Sequence, residues 1–184
     1  MLKLEDIELI FSRRGAAQYS GEPVTQLEHA LQTAHLAEQS EASDELVTAC
    51  LLHDLGHLLV EQGETPTLRG IDDTHQYVAL PFLRGLFPLE VLEAIKLHVD
   101  AKRYLCQANP DYYAKLSDDS RRSLALQGGV FDEAAATAFL ARPGARDAVM
   151  LRQWDDLAKQ AGWATPPLAH FLDRAARCAL RLSA

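Results

Sequence analysis

The sequence predicts an all-α fold, and three observations carry that expectation. Helix punctuation recurs along the chain, with Gly15 as a stop, Pro23 as an entry and Ser43 as a cap. No run alternates with period two between hairpin turns, so strands are not expected. Linkers between the periodic segments are short except at residues 61–72, and no repeat or composition shift marks an internal boundary. The expectation is one helical domain over residues 1–184.

The first helix is expected over residues 4–14, stopping near Gly15. A loop carrying Tyr19, Gly21 and Glu22 then leads to Pro23 and a second helix over 24–39. Ser43 has the side chain of an N-cap and opens a third helix over 44–60. Further helices are expected over 73–86, 88–107, 117–126, 132–141, 146–159 and 167–182.

A chain of 184 residues buries roughly 70% of its unfolded surface and needs no disulfides to hold together. With 48% hydrophobic and 24% charged residues it is neither disordered nor fibrous. Eighteen basic against 26 acidic residues leave a net charge of −8, which argues against a polyanion partner and hence against nucleic-acid binding as the main task. No apolar run approaches a membrane span. Leu-Lys-Leu-Glu-Asp after Met1 lacks the basic and apolar regions of a signal peptide. Cys50, Cys106 and Cys178 are odd in number and widely separated, as reduced thiols are. A cytoplasmic protein with no membrane contact and no obligatory protein partner is expected.

The seven histidines carry the chemistry. On the second helix Glu28, Gln32, His35 and Gln39 share one stripe at 100° per residue, read as the solvent face, which makes His35 a surface residue. His29 falls near Gln26, Thr33 and Leu36, away from that stripe, where a buried imidazole needs a hydrogen-bond partner or a metal. The segment Leu51-Leu52-His53-Asp54-Leu55-Gly56-His57-Leu58-Leu59 sets polar groups inside an apolar helix, where they cannot remain unpaired. A hydrogen bond between His53 and Asp54 would satisfy two of them but leave His57 unexplained.

His29, then His53-Asp54, then Asp155 resembles the H…HD…D signature of the HD-domain superfamily, an all-α metal-binding fold. His75 and His98 lie between the doublet and the last Asp, as in its dinuclear branch. Four imidazoles and two carboxylates without a thiolate suit two Fe or Mn ions. The likeness narrows to the PhnZ-type oxygenases, TmpB-like members included, which are mixed-valent diiron enzymes that cleave carbon–phosphorus bonds. It covers most of the chain: Tyr19-Ser20-Gly21-Glu22 with Gln26-Leu27-Glu28-His29, Leu51 to His57, His98-Val99-Asp100-Ala101-Lys102-Arg103-Tyr104-Leu105, and Leu116-Ser117-Asp118-Asp119-Ser120 running to Gln127-Gly128-Gly129. Myo-inositol oxygenase, a larger member of the same mechanistic group, fits less well.

The resemblance implies that His29, His53, Asp54 and Asp155 hold one iron and Asp54, His75 and His98 the other, with Asp54 bridging. An Fe(II)/Fe(III) pair with dioxygen as co-substrate would convert a 1-hydroxy-2-aminoethylphosphonate, primary or trimethylated, to phosphate and glycine or glycine betaine. It gives Lys102, one turn beyond His98, and His57, one turn beyond His53, to the phosphonate side of the pocket. Ser120, Ser123 and Arg152 complete that cradle, and Glu22 meets the substrate ammonium. Tyr19 stands near the open iron position and moves aside when substrate enters. Trp154 is expected in the core and His170 outside the site. The alternative is an HD phosphohydrolase acting on a nucleotide or small phosphoester, which dioxygen dependence separates from an oxygenase; a degenerate interaction module is disfavoured because all six candidate ligands are present.

Overall fold

The local signals above are realised in a computed structural model that describes residues 2–19, 21–60, 66–72 and 74–180. Helix α1 (Leu4–Arg14) ends at Gly15, as its composition predicts, and buries Ile7 and Phe11. Helix α2 (Gln26–Gln39) begins two residues later than expected because Thr25 forms a capping box. Its hydroxyl accepts from Glu28 N at 3.2 Å, and the Glu28 carboxylate accepts from Thr25 N at 2.7 Å. Ser43 caps α3 (Asp44–Leu52) by accepting from Leu46 N.

The expected helix over 44–60 is broken. α3 stops at Leu52 and α4 (Leu55–Leu59) follows, with Asp54 between them at φ −102° and ψ 10°. On an unbroken helix two successive side chains point about 100° apart. The break instead lets His53 Nε2 and Asp54 Oδ2 converge to 3.3 Å. The expected helix over 73–86 is likewise replaced, by α5 (His75–Val78) and α6 (Leu80–Leu83), with Thr74 left-handed at φ 48°. Pro66–Arg69 forms a 3-10 turn in the linker. Ser20, residues 61–65, the expected helix start at residue 73 and the helix end beyond residue 180 lie outside the described residues.

α7 (Leu89–Ala108) is the long central helix. α8 (Pro110–Lys115), absent from the expectation, starts where Asn109 accepts from Asp111 N and Pro110 takes the first turn. α9 (Asp118–Leu126), α10 (Glu133–Leu140), α11 (Ala145–Leu157) and α12 (Leu168–Cys178) lie within or beside their expected ranges. Ser117 and Asp132 cap α9 and α10.

α3 runs through the middle, buried from Leu46 to Leu52 among α2, α7 and α12. That placement suits a helix apolar on every face. Its side chains join Ile7, Phe11, Leu83, Ile95 and Phe171 in the main core. A second cluster, Leu97, Ala101, Phe139, Ala145 and Ala148, fastens α7 to α10 and α11. This second seam fixes Asp155 opposite the α3–α4 break. Among the described residues no helix is long and apolar enough to cross a membrane.

Candidate metal centre

The break at Asp54 is where the six candidate ligands meet. The two Asp54 oxygens face different partners. Oδ2 lies 3.3 Å from His53 Nε2 and 3.6 Å from His29 Nε2. Oδ1 lies 3.2 Å from His75 Nε2 and 3.7 Å from His98 Nε2. Asp155 Oδ1 closes the first group at 3.3 Å from His29 Nε2 and 4.0 Å from His53 Nε2. Two sets of donors, His29, His53 and Asp54 on one side and Asp54, His75 and His98 on the other, therefore share one carboxylate, each set tight enough for a single ion, with Asp155 beside the first.

The imidazole geometry favours cations there. His29 Nδ1 lies 2.8 Å from the Ala158 carbonyl, His53 Nδ1 2.8 Å from that of Cys50, and His98 Nδ1 2.6 Å from that of Ile95. A carbonyl only accepts, so each Nδ1 is the protonated nitrogen and each Nε2 presents a lone pair. Yet His29 Nε2 and His53 Nε2 face each other at 3.2 Å, as do His75 Nε2 and His98 Nε2 at 3.0 Å. The opposed lone pairs of His29 and His53 repel at that distance, and a cation bound by both relieves them. Asp54 Oδ2 and both Asp155 oxygens are buried without a hydrogen bond, although Arg152 forms an ion pair with Asp155 Oδ2 at 2.8 Å. Buried carboxylate oxygens left in this state fit metal ligation.

Charge keeps both carboxylates ionised. Burial raises the Asp54 carboxyl, but the charge and hydrogen bonds of His53 and His75 in their protonated forms outweigh it and hold it well below the usual range, a charge that bound cations would supply when the rings are neutral ligands. Burial acts likewise on Asp155 and is overcome first by Arg152 and then by His29 and His53. Burial and the neighbouring His75 and His53 push His98 well below its ordinary value, so it is neutral and free to coordinate.

The second ring of predicted residues surrounds this cluster. Tyr19 stacks on His29 with ring centroids 4.0 Å apart and planes 15° from parallel. Burial, the charges of Asp54 and Asp155, and a hydrogen bond to Asp54 keep its phenol protonated. His57 stacks on His75 at 4.2 Å and keeps 23% of its side chain exposed, on the accessible side of the cluster. Lys102 is buried one turn past His98 and donates to Ser123 Oγ at 2.6 Å, while Ser123 donates to the Ser120 carbonyl. Burial and the Arg152 charge lower the Lys102 ammonium to about 7. Lys102 therefore lies within electrostatic reach of Arg152 and beside Ser120 and Ser123.

Arg152 is held in place rather than mobile. It pairs with Asp155 and Asp156, and its Nε lies 3.2 Å from the Tyr112 hydroxyl, which itself donates to Asp156. Glu22 pairs with Lys159 at 3.0 Å. Trp154 packs against the main core, and exposed His170 pairs with Glu38 at 2.8 Å.

One placement corrects the helical-wheel reading. Gln32 is buried, its amide donating to the Gln160 carbonyl and its carbonyl accepting from Gln160 N, because the chain leaving α11 crosses that stripe of α2. His35 is consequently half-buried, edge-on to Trp163 at 6.1 Å. Several contributors escaped the sequence reading. Ala158 acts through its backbone, and Tyr112 and Asp156 act through Arg152. Gly56 matters through its missing side chain: a Cβ there would fall 2.2 Å from the His75 carbonyl oxygen. Only the Gly in the His-Asp-Leu-Gly-His run carried a signal, since a glycine inside a helical run weakens it and so calls for a packing reason.

The comparisons agree with this geometry. The HD-domain family profile matches residues 27–127. The chain is 46% identical over 158 residues to hydroxymethylphosphonate dioxygenase of Gimesia maris, covering 85% of this chain and 79% of that protein. It is 39% identical over 172 residues to the glycine-betaine-forming [1-hydroxy-2-(trimethylamino)ethyl]phosphonate dioxygenase of Leisingera caerulea, covering 91% and 86%. Similarity at 32% identity over 165 residues, 88% of this chain and 75% of the other, extends to the uncharacterized protein L432 of Acanthamoeba polyphaga mimivirus.

Proposed function

We propose, from the premise that this chain belongs to the HD-domain family and there to the PhnZ-type phosphonate dioxygenases, that it cleaves the carbon–phosphorus bond of a 1-hydroxy-2-aminoethylphosphonate with dioxygen. The observation that carries the reading is Asp54, whose two oxygens divide between the two histidine sets. His29, His53, Asp54 and Asp155 would hold one iron and Asp54, His75 and His98 the other. The Fe(II)/Fe(III) pair would supply dioxygen activation, which no side chain can provide. The second set offers fewer protein donors and so leaves room for substrate.

The chain's own groups bind and orient. Lys102, with Ser120, Ser123 and Arg152, meets the phosphonate oxygens, and His57 covers the same side. Tyr19 lies over His29 and is displaced as substrate enters. Glu22 attracts the ammonium at carbon 2. Buried walls exclude water, so carbon 1 meets dioxygen chemistry rather than hydrolysis. The overall reaction balances: carbon 1 gives up its hydrogen and its bond to phosphorus, one dioxygen atom enters the carboxylate and the other enters phosphate. Glycine follows from the primary amine and glycine betaine from the trimethylated one. The names of the two dioxygenase relatives favour this reading over phosphoester hydrolysis.

The test is anaerobic iron loading followed by electron paramagnetic resonance with and without the aminophosphonate, then phosphate release with and without dioxygen. A coupled mixed-valence signal that shifts on substrate addition, together with dioxygen-dependent phosphate, is expected. Phosphate released from a phosphoester in the absence of dioxygen would move the protein to the hydrolases. Glu22→Gln should lose efficiency on the aminophosphonate and little on an uncharged 1-hydroxyalkylphosphonate of similar size.

A further inference from the structure

Glu22, the expected partner of a substrate ammonium, already holds one. Its carboxylate lies 3.0 Å from Lys159 Nζ, and the two side chains are only 13% and 15% exposed. An enclosed pair differs from a solvated surface contact, because opening it leaves a charge with little water to replace its partner. Lys159 is also fixed along the backbone on both sides. The preceding carbonyl, of Ala158, accepts from His29 Nδ1, and the following residue, Gln160, is clamped through its N–H and carbonyl by Gln32. Its ammonium stands 5.9 Å from the centroid of the Tyr19 ring, the ring that stacks on His29. The space between Glu22 and Tyr19 therefore contains a cation tethered to the end of α11.

Building on the proposed function, we propose that Lys159 is a specificity-determining residue, a resident counter-ion in the amine subsite. A substrate cation reaches Glu22 only by exchanging with Lys159, whose ammonium must then find water or another anion. A hydroxyphosphonate without a cation leaves the pair intact and incurs no such cost. Lys159 thus discriminates against charge at carbon 2, while Glu22 favours it. The balance between the two residues decides how well one pocket takes either class of small hydroxyphosphonate.

The experiment compares wild-type, Lys159→Met and Lys159→Arg iron-loaded protein on hydroxymethylphosphonate and 1-hydroxy-2-aminoethylphosphonate. Two readouts are taken: phosphate release in air and calorimetric binding without dioxygen. The ratio of kcat/KM for the amino substrate over the hydroxymethyl one should rise roughly tenfold in Lys159→Met, a change comparable to one partly buried charge contact. The binding ratio should move with it. Lys159→Arg, still cationic, should remain near wild type, and Glu22→Gln added to Lys159→Met should abolish the gain. Should Lys159→Met fail to fold, Lys159→Gln keeps a donor to Glu22 while removing the charge and serves the same comparison. Unchanged ratios with phosphate still released would overturn the role of Lys159 and leave the reaction intact. No phosphate from either compound would overturn the reaction, and the anaerobic binding ratio would then judge Lys159 separately. Failure of both phosphonates to bind would overturn both.

Discussion

The two halves of the candidate metal centre are built differently. Around His29, His53 and Asp155, the ligands come from the buried faces of α2 and α11 and the end of α3. Both imidazoles of this half give Nδ1 to backbone carbonyls, those of Cys50 and Ala158, as His98 does to Ile95 in the other half. The His75 half pairs one ligand on the long helix α7 with one on α5, a helix of four residues that follows the long linker. His57 stacks on that ligand and reaches solvent. Rigid, fully enclosed ligands suit an ion that is kept, whereas a ligand on a short segment at the accessible edge suits one that must receive substrate. Under the proposed function, this difference leads us to expect retention from one half and substrate access from the other.

The largest expected effect comes from deleting what the halves share. Asp54→Ala removes the one carboxylate that, among the described residues, lies between both histidine sets, and Asp155 with the neutral imidazoles then supplies too little charge to offset two neighbouring cations. Metal analysis should find both ions lost. Full occupancy in that variant, or a single ion in the wild type, would sink the dinuclear assignment. His35→Ala, outside the cluster, should keep both ions.

Gly56→Ala should separate the halves. The added methyl meets the His75 backbone at 2.2 Å, and a backbone carbonyl cannot swing aside as a side-chain tip can. α5 must shift, taking His75 with it. The expected outcome is about one metal per chain, retained by the His29 half, with the fold preserved by circular dichroism. Two ions at wild-type affinity would show that α5 yields without cost and that its position is not set by this contact.

Lys102→Ala acts beyond the metals. It should leave iron content unchanged and raise KM for the phosphonate by roughly one to two decades, as expected for a charge-assisted contact of about 1.5–3 kcal/mol. Steady-state kinetics beside metal analysis checks this. An unchanged KM would place Lys102 outside the substrate pocket and leave Arg152 to carry the phosphonate.

Periodicity made some of these residues legible and was blind to others. His98 and Lys102 lie one turn apart on a helix whose extent the sequence predicted, so their shared face could be read directly. Gln32 shows the limit: a wheel reports which residues share a stripe, not which distant segment covers it, and its partner is 128 residues away. The break at residues 53–54 carried no Pro and little propensity signal. It exists because two adjacent side chains must converge on one place, a tertiary demand that local preference cannot express. The pairs Glu22–Lys159 and Tyr112–Asp156 span 137 and 44 residues, and nothing local to either member names the other. His75, His98 and Asp155 came only through the resemblance to the HD signature, whereas His29 and the His53-Asp54-His57 run were legible because polar groups inside apolar helices need a partner. The groups that hold them were not, because a backbone carbonyl such as that of Ala158 leaves no trace in residue identity.

The smallest effect, and the sharpest on the accessible half, is a pH limb. Burial first, and the Arg152 charge second, bring the Lys102 ammonium down to about 7. The sign follows from the depressed value: below about 7 the free enzyme presents a cation to the phosphonate, and above it a growing fraction presents a neutral amine. The affinity that Lys102 contributes is therefore full on the acid side and declines as pH rises. A bound phosphonate favours the charged form and moves the limb upward, so the decline should appear in kcat/KM, which reports the free enzyme, before it appears in kcat. Substrate ionisation also changes in this range, which makes one profile ambiguous and a comparison decisive. Lys102→Arg keeps a cation that does not titrate there, and both proteins see the same substrate. The ratio of wild-type to Lys102→Arg kcat/KM should be flat below the limb, fall above it by no more than about tenfold for each pH unit, and level off within the roughly one to two decades that the Lys102 charge contributes. A flat ratio from pH 6 to 9 would mean that Lys102 stays charged throughout, with its burial offset by Asp155 and Asp156 rather than relieved by losing its proton.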